Sequence, residues 1–176
     1  MGFKPTKQGM FTPAAGFTFG GGAPSGPTGI KIEHRVGIKA PAEVIWEIMS
    51  DIPGWESWNP VYPKAAGELR IGSRLDLTVA IPGEAHRQIT PVVLDWVPND
   101  QIHWKLSMMG GLITSIRYLE IEILGDENCI FSNGELFQGL LSPLVSSKRQ
   151  AIRQGFTALG EAMQVKAEAA WQARQP

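Results

Sequence analysis

The chain has 176 residues, 43% hydrophobic and 19% charged, with a formal net charge of -1. Such a length suits one ordinary domain with a tail, which buries roughly two-thirds of its unfolded surface and needs no staple. The near-neutral balance argues against a nucleic-acid or anionic-membrane partner, no run of 18 apolar residues offers an integral membrane span, and the lone Cys129 excludes an internal disulfide. A single thiol suits a reducing compartment, so a cytoplasmic location is expected.

Residues 1–29 hold eight glycines and four prolines. That composition cannot bury enough apolar surface to offset its ordering entropy, so a flexible arm is expected, with residues 30–176 as the single domain. Phe3, Phe11, Phe17 and Phe19 are unusual in a solvated tail. Either they dock on the domain or on a second copy, making a homo-oligomer through the arm, or the tail is incidental. No apolar h-region marks a secretory signal.

Ile30 to Ile38 alternates apolar and polar residues and reads as a first strand. Pro41 opens a short helix to Met49, with Ile45, Ile48, Met49 and Ile52 on its buried stripe. A second short helix or turn carries Trp55 to Asn59. An antiparallel meander follows: Leu69 to Ile71, Arg74 to Ile81, His86 to Trp96 with an edge or bulge at Pro91, Gln101 to Ser107, Thr114 to Leu124 and Asn128 to Gln138. In the fourth of these Ile102, Trp104 and Leu106 point inward, and His103 reads as exposed. Ser142 as N-cap and Pro143 at the first position start a long helix, with Val145, Ile152, Phe156, Leu159 and Met163 on one face and Arg149 interrupting it. Gly155 and Gly160 either let that helix approach the sheet closely or leave space beneath it. The fold class is α+β: a curved, seven-stranded antiparallel sheet wrapped around the C-terminal helix, with two short helices after strand 1.

This order resembles the START-related helix-grip (SRPBCC) superfamily, which includes polyketide cyclase/dehydrase-like proteins and birch-pollen allergen relatives. The resemblance spans about residues 30–168. It rests on Ala40-Pro41 followed by Ile45-Trp46, on Asp51, Trp58-Asn59-Pro60, Gly72, Leu94, Pro98 and Trp104, and on Glu135, Phe137, Gly139 and Pro143. It implies a deep apolar cavity between sheet and helix, and not a particular reaction.

Candidate site residues fall in several groups. Trp58 either plugs the core or forms the cavity mouth, and Asn59 either caps a turn through its side chain or contacts a ligand. On alternating phase Arg117 lies with Leu119, Ile121 and Ile123, and Glu135 with Phe131, Asn133 and Phe137. If both sets face inward, the two charges must pair or hydrogen-bond; Glu135 would then serve as general acid or base and Arg117 would hold a carbonyl or carboxylate. The alternative is a structural or outward-facing ion pair. The inward reading needs a register with residue 119 opposite 135, whereas a plain four-residue turn at 125–128 sets 124 opposite 129 and parts their faces. Leu77, Val79, Trp104, Leu106, Met108, Phe131, Asn133 and Phe137 from the strands, with Arg149, Ile152 and Phe156 from the long helix, complete the expected ligand-binding set. Met108, Met109, Leu112 and Ile113 flank two loop glycines and read as an adaptable gate or as ordinary packing. His34, His86 and His103 lie on separate strands without metal-ligand spacing, Cys129 reads as a small buried apolar residue, and neither a nucleophile elbow nor a phosphate loop occurs. No metal or cofactor is expected.

Three functions fit. The first is binding or carrying a small hydrophobic ligand, a lipid, sterol, quinone or aromatic. The second is a polyketide cyclase/dehydratase-like enzyme using Glu135 as acid/base. The third is a protein-interaction module receiving a partner segment. The first two require a hollow interior, and neither survives if Trp, Phe and Met side chains fill it.

Overall fold

The computed structural model describes residues 29–175. Apart from Gly29, the expected N-terminal arm lies outside the described residues.

Strand β1 (Ile30–Ile38) buries Ile32 and Ile38 on one face, as its alternation dictates. Helix α1 (Ala42–Ser50) buries Val44, Ile45 and Met49, and Pro41 stands just before it in extended conformation rather than at its first position. A 3-10 helix, Pro53–Ser57, buries Trp55, whose Nε1 donates to the Met49 carbonyl at 3.1 Å. Seven strands follow: β2 (Lys64–Ala66), β3 (Asp76–Val79), β4 (Arg87–Ile89), β5 (Val92–Val97), β6 (Gln101–Met108), β7 (Ile113–Gly125) and β8 (Asn128–Gln138). The 3-10 helix Ser142–Lys148 leads into α2 (Arg149–Gln172).

The helix-grip architecture is present, but its strands divide between two sheets. Five strands run in the order β1-β8-β7-β6-β5, and β2-β3-β4 form a second, smaller sheet. Pro91 explains the division, because it has no N–H to give to a ladder, and β4 ends two residues before it. Arg74 still bridges Val92, and the Gly72 and Val93 amides donate to the Val93 and Ser73 carbonyls at 2.9 Å. The small sheet thereby continues the curve beyond β5. The strand suggested at 69–71 is irregular; Lys64–Ala66 takes its place.

The β7–β8 hairpin carries the decisive register. Ile123 pairs with Cys129 and Gly125 with Asn128, so Leu124 is one residue extra. This bulge offsets the one-residue slip of a plain turn. Arg117 therefore stands directly across from Glu135, and Leu119 across from Asn133.

Helix α2 packs against β1 and β8 and also touches α1. Gly160 permits the approach, since a Cβ there would overlap the His34 ring, 2.7 Å from Cε1. Ser142 and Pro143 belong to the 3-10 helix rather than starting α2, and the buried Ser142 hydroxyl has no partner among the described residues. The interior has two parts. Beside α1 it is filled by Met49, Trp55, Leu77, Phe131, Leu159 and Met163. A smaller cluster of Ile32, Ile113, Phe137 and Phe156 lies toward the other end of α2.

Candidate functional site

A cavity of about 310 Å³ opens between the smaller cluster and the three-stranded sheet. Alternation along the strands supplies its apolar walls: Val79 from β3, Ile89 from β4, Trp104, Leu106 and Met108 from β6, and Phe137 from β8. Ile152 and Phe156 from α2 close one side. The mouth is marked by lining residues that also meet solvent, Met109 and Leu144 (each 58% exposed), together with Arg87 and Lys148. Lys148 pairs with Glu84, tying the segment before α2 to the β3–β4 connection. Met109 holds a left-handed backbone (φ 53), as do Gly110 and Gly111, so the rim loop turns within three residues.

The polar wall is small. Tyr62, Ser115 and Glu135 line the cavity, and Tyr62 and Ser115 are buried. Glu135 is half-buried, and the open space it faces is the cavity. Burial pushes its carboxyl above the usual carboxylate range, against the pull of the Arg117 charge, a hydrogen bond from Ser115 and the Arg87 charge. Burial likewise pushes the Tyr62 phenol up; the Arg117 charge opposes this and Glu135 adds to it.

Arg117 lies behind this wall, 1% exposed. Its Nε donates to Tyr62 Oη at 3.1 Å, its Nη1 to the Tyr118 and Gly134 carbonyls at 3.0 and 2.9 Å, and its Nη2 to Asn133 Oδ1 at 3.1 Å. The guanidinium also stacks 3.9 Å from the centre of the Phe156 ring. Asn133 Nδ2 donates to the Phe156 carbonyl at 3.1 Å, so the network ties β7 and β8 to α2. No ion pair joins Arg117 to Glu135 among the described residues. The arginine is satisfied by carbonyl, amide and phenol oxygens instead.

Of the expected catalytic and ligand-binding set, Val79, Trp104, Leu106, Met108, Glu135, Phe137, Ile152 and Phe156 line the cavity. Six do not, besides Arg117. Trp58 lies in an outer groove with Ile48, Pro60 and the Ala158–Ala162 face of α2. Asn59 caps a turn, its Oδ1 accepting from the Val61 and Tyr62 amides at 3.0 Å. Leu77 and Phe131 belong to the filled core, and Asn133 is occupied by Arg117 and Phe156. Arg149 shares the Ile152 and Phe156 face of α2 by its spacing, but it stands at the first residue of the helix and is exposed there, outside the cavity lining. His103 is half-buried on the other face of the sheet, its Nε2 2.9 Å from Glu120 Oε1, rather than free in solvent.

Sequence reasoning missed Tyr62, Ser115, Val61 and Arg87. Tyr62 left a signal: it is one of two tyrosines in the chain and lies four residues beyond Trp58.

A curved sheet gripping a long helix around a small, mostly apolar chamber defines a helix-grip ligand-cavity protein. The chain belongs to the polyketide cyclase / dehydrase and lipid transport family, which matches residues 29–164. It is similar in structure to the Zhui aromatase/cyclase of a Streptomyces species, at 18% identity over 80% of this chain and 94% of that one, with a TM-score of 0.65. A START superfamily protein from Mycobacterium smegmatis aligns at 22% identity over 82% and 99% of the two chains, TM-score 0.61. Norcoclaurine synthase from Thalictrum flavum, in complex with dopamine and hydroxybenzaldehyde, aligns at 16% identity over 85% and 90%, TM-score 0.59. At these identities the likeness establishes the fold alone. No curated protein matches the chain. Among the described residues no helix is long and apolar enough to cross a membrane, and no group of three potential metal ligands occurs.

Proposed function

We propose that the protein binds one small, largely apolar molecule in this cavity, through Val79, Trp104, Leu106, Met108, Phe137, Ile152 and Phe156. The observation that carries the reading is a chamber of about 310 Å³ whose wall is apolar except around Glu135 and at the mouth, where Arg87 and Lys148 stand. The volume corresponds to roughly ten water molecules and sits at the small end of ligand pockets. It favours a one- or two-ring aromatic or quinone-like guest over a four-ring sterol or a long-chain lipid. Met108, Met109 and Ile113 stand at the rim as an adaptable entrance.

Trp104 lines the cavity and serves as the reporter. Titration with 1-tetralone should change tryptophan emission saturably, at one guest per chain, and the change should shrink in Trp104→Phe. A linear, unsaturable response would overturn the binding reading.

A second reading, a cyclase or dehydratase, is favoured by one observation: an acid raised by burial, facing an apolar chamber. Glu135 would then give its proton to a ligand carbonyl oxygen as an enol carbon of the same ligand bonds to that carbonyl carbon, and the enol oxygen's proton would return to Glu135 as the attacking end becomes a ketone. Glu135→Gln separates the two. Binding retained with turnover of a candidate carbonyl substrate lost supports catalysis; binding and turnover both unchanged remove it.

A further inference from the structure

We infer that Tyr62 selects the guest by donating its phenolic hydrogen to a carbonyl or quinone oxygen seated against the polar wall, and that Arg117 is the residue that positions it. The inference rests on the reading of the cavity as a binding site and specifies what that site takes.

A tyrosine hydroxyl offers one hydrogen and accepts through its oxygen. The accepting side of Tyr62 is filled by Arg117 Nε at 3.1 Å. A guanidinium carries no acceptor, so Tyr62 cannot direct its own hydrogen back at Arg117. Among the described residues no protein acceptor takes that hydrogen, although the residue is only 3% exposed. Buried donors are seldom left unmade, and the open space beside this one is the cavity that Tyr62 lines.

The group is also held still. Its ring lies 5.5 Å from that of Trp55 and 5.9 Å from that of Trp104, centre to centre. Its amide donates to Asn59 Oδ1 at 3.0 Å. Arg117 cannot swing away, since its other nitrogens are committed to the Tyr118, Gly134 and Asn133 oxygens. A donor whose oxygen accepts from a cation is polarised toward giving its own hydrogen. The structure thus assigns Tyr62 to a ligand with a hydrogen-bond-accepting oxygen on one or two fused rings, and it disfavours the plain hydrocarbon of equal shape.

Paired titrations with 1-tetralone and tetralin test this, since the two differ chiefly by the carbonyl oxygen. The wild-type chain should bind the ketone roughly tenfold more tightly than the hydrocarbon. Tyr62→Phe should bring that ratio near unity by weakening the ketone more than the hydrocarbon. The infrared carbonyl stretch of bound 1-tetralone should lie below its value in an apolar solvent in the wild-type chain. It should return toward that value in Tyr62→Phe and lie between the two in folded Arg117→Lys. Both compounds binding equally in the wild-type chain, or a ratio preserved in Tyr62→Phe, would overturn the role of Tyr62 while leaving the cavity as a binding site. An unmoved stretch in Arg117→Lys would remove the positioning role. Failure of both compounds to bind would overturn the binding reading itself.

Discussion

Replacing Arg117 by methionine measures how much structure hangs on the network behind the cavity wall. Arg117 makes four hydrogen bonds of 2.9 to 3.1 Å. A hydrogen bond to a charged group contributes about 1.5–3 kcal/mol after its exchange with water. Burying the guanidinium costs several kcal/mol, so a whole buried charged network can be near neutral against a well-packed apolar replacement. Its removal is another matter. Methionine keeps much of the volume but strands oxygens on Tyr62, Tyr118, Asn133 and Gly134, each losing a partner at about 1–3 kcal/mol where no other forms. The expected loss is about 3–5 kcal/mol, typical of a broken buried charged network. In a domain of this length each kcal/mol moves Tm by about 2–4 °C, so Tm should fall by roughly 6–20 °C. Thermal unfolding followed by far-UV circular dichroism gives the number. Arg117→Lys should fall nearly as far, because an ammonium keeps the charge but loses the planar fork. A fall under about 2 °C in the methionine variant would show that β7, β8 and α2 do not depend on this residue.

Glu135→Gln should change how stability depends on pH. The folded carboxyl lies above its ordinary value, so the folded chain holds that proton more tightly than the unfolded one. The wild-type protein therefore loses stability, relative to the glutamine variant, as pH rises from about 4.3 through the raised folded value, and the loss is complete above it. Unfolding of both chains at pH 4.5 and pH 8 checks this, and a difference independent of pH would contradict it. Gly160→Ala should destabilise, because overlap with the His34 ring costs about 1–3 kcal/mol and the gain in helix propensity returns only about 1 kcal/mol; a rise in Tm would show that α2 can shift away from β1. Deleting residues 1–28 should leave 1-tetralone affinity within about twofold (well under 1 kcal/mol), because among the described residues the lining runs from Val61 to Phe156. A larger loss, or a lower solution mass after deletion, would give the arm a part in binding or in assembly.

Much of the fold was legible because periodicity reports burial directly. Leu75, Leu77, Val79 and Ile81 share a face in the sequence, and the structure buries the first two in the core and sets the last two on the cavity wall. Pro91 announced an interruption, though not that it would split the sheet. The register of the long hairpin was not readable, because a bulge at Leu124 depends on backbone geometry at the turn, and one residue decides which face Arg117 shares. Arg149 was misplaced for a different reason: spacing gives its face on α2 but not how far the cavity extends along the helix, and the first residue stands outside the lining. Asn59 and Trp58 showed as a turn and an aromatic anchor but could not be assigned a side of the wall from spacing alone. Tyr62 escaped because its role comes from a partner 55 residues away that fills its accepting side.

Native mass spectrometry of the chain, purified without detergent and incubated with a modest excess of 1-tetralone, asks whether the interior space admits a guest. One adduct per chain is expected, competed away by a second two-ring ketone and absent when the chain is unfolded. A spectrum showing only bare protein, or a ladder of adducts growing with concentration, would mean that the chamber beside Glu135 is not a binding site.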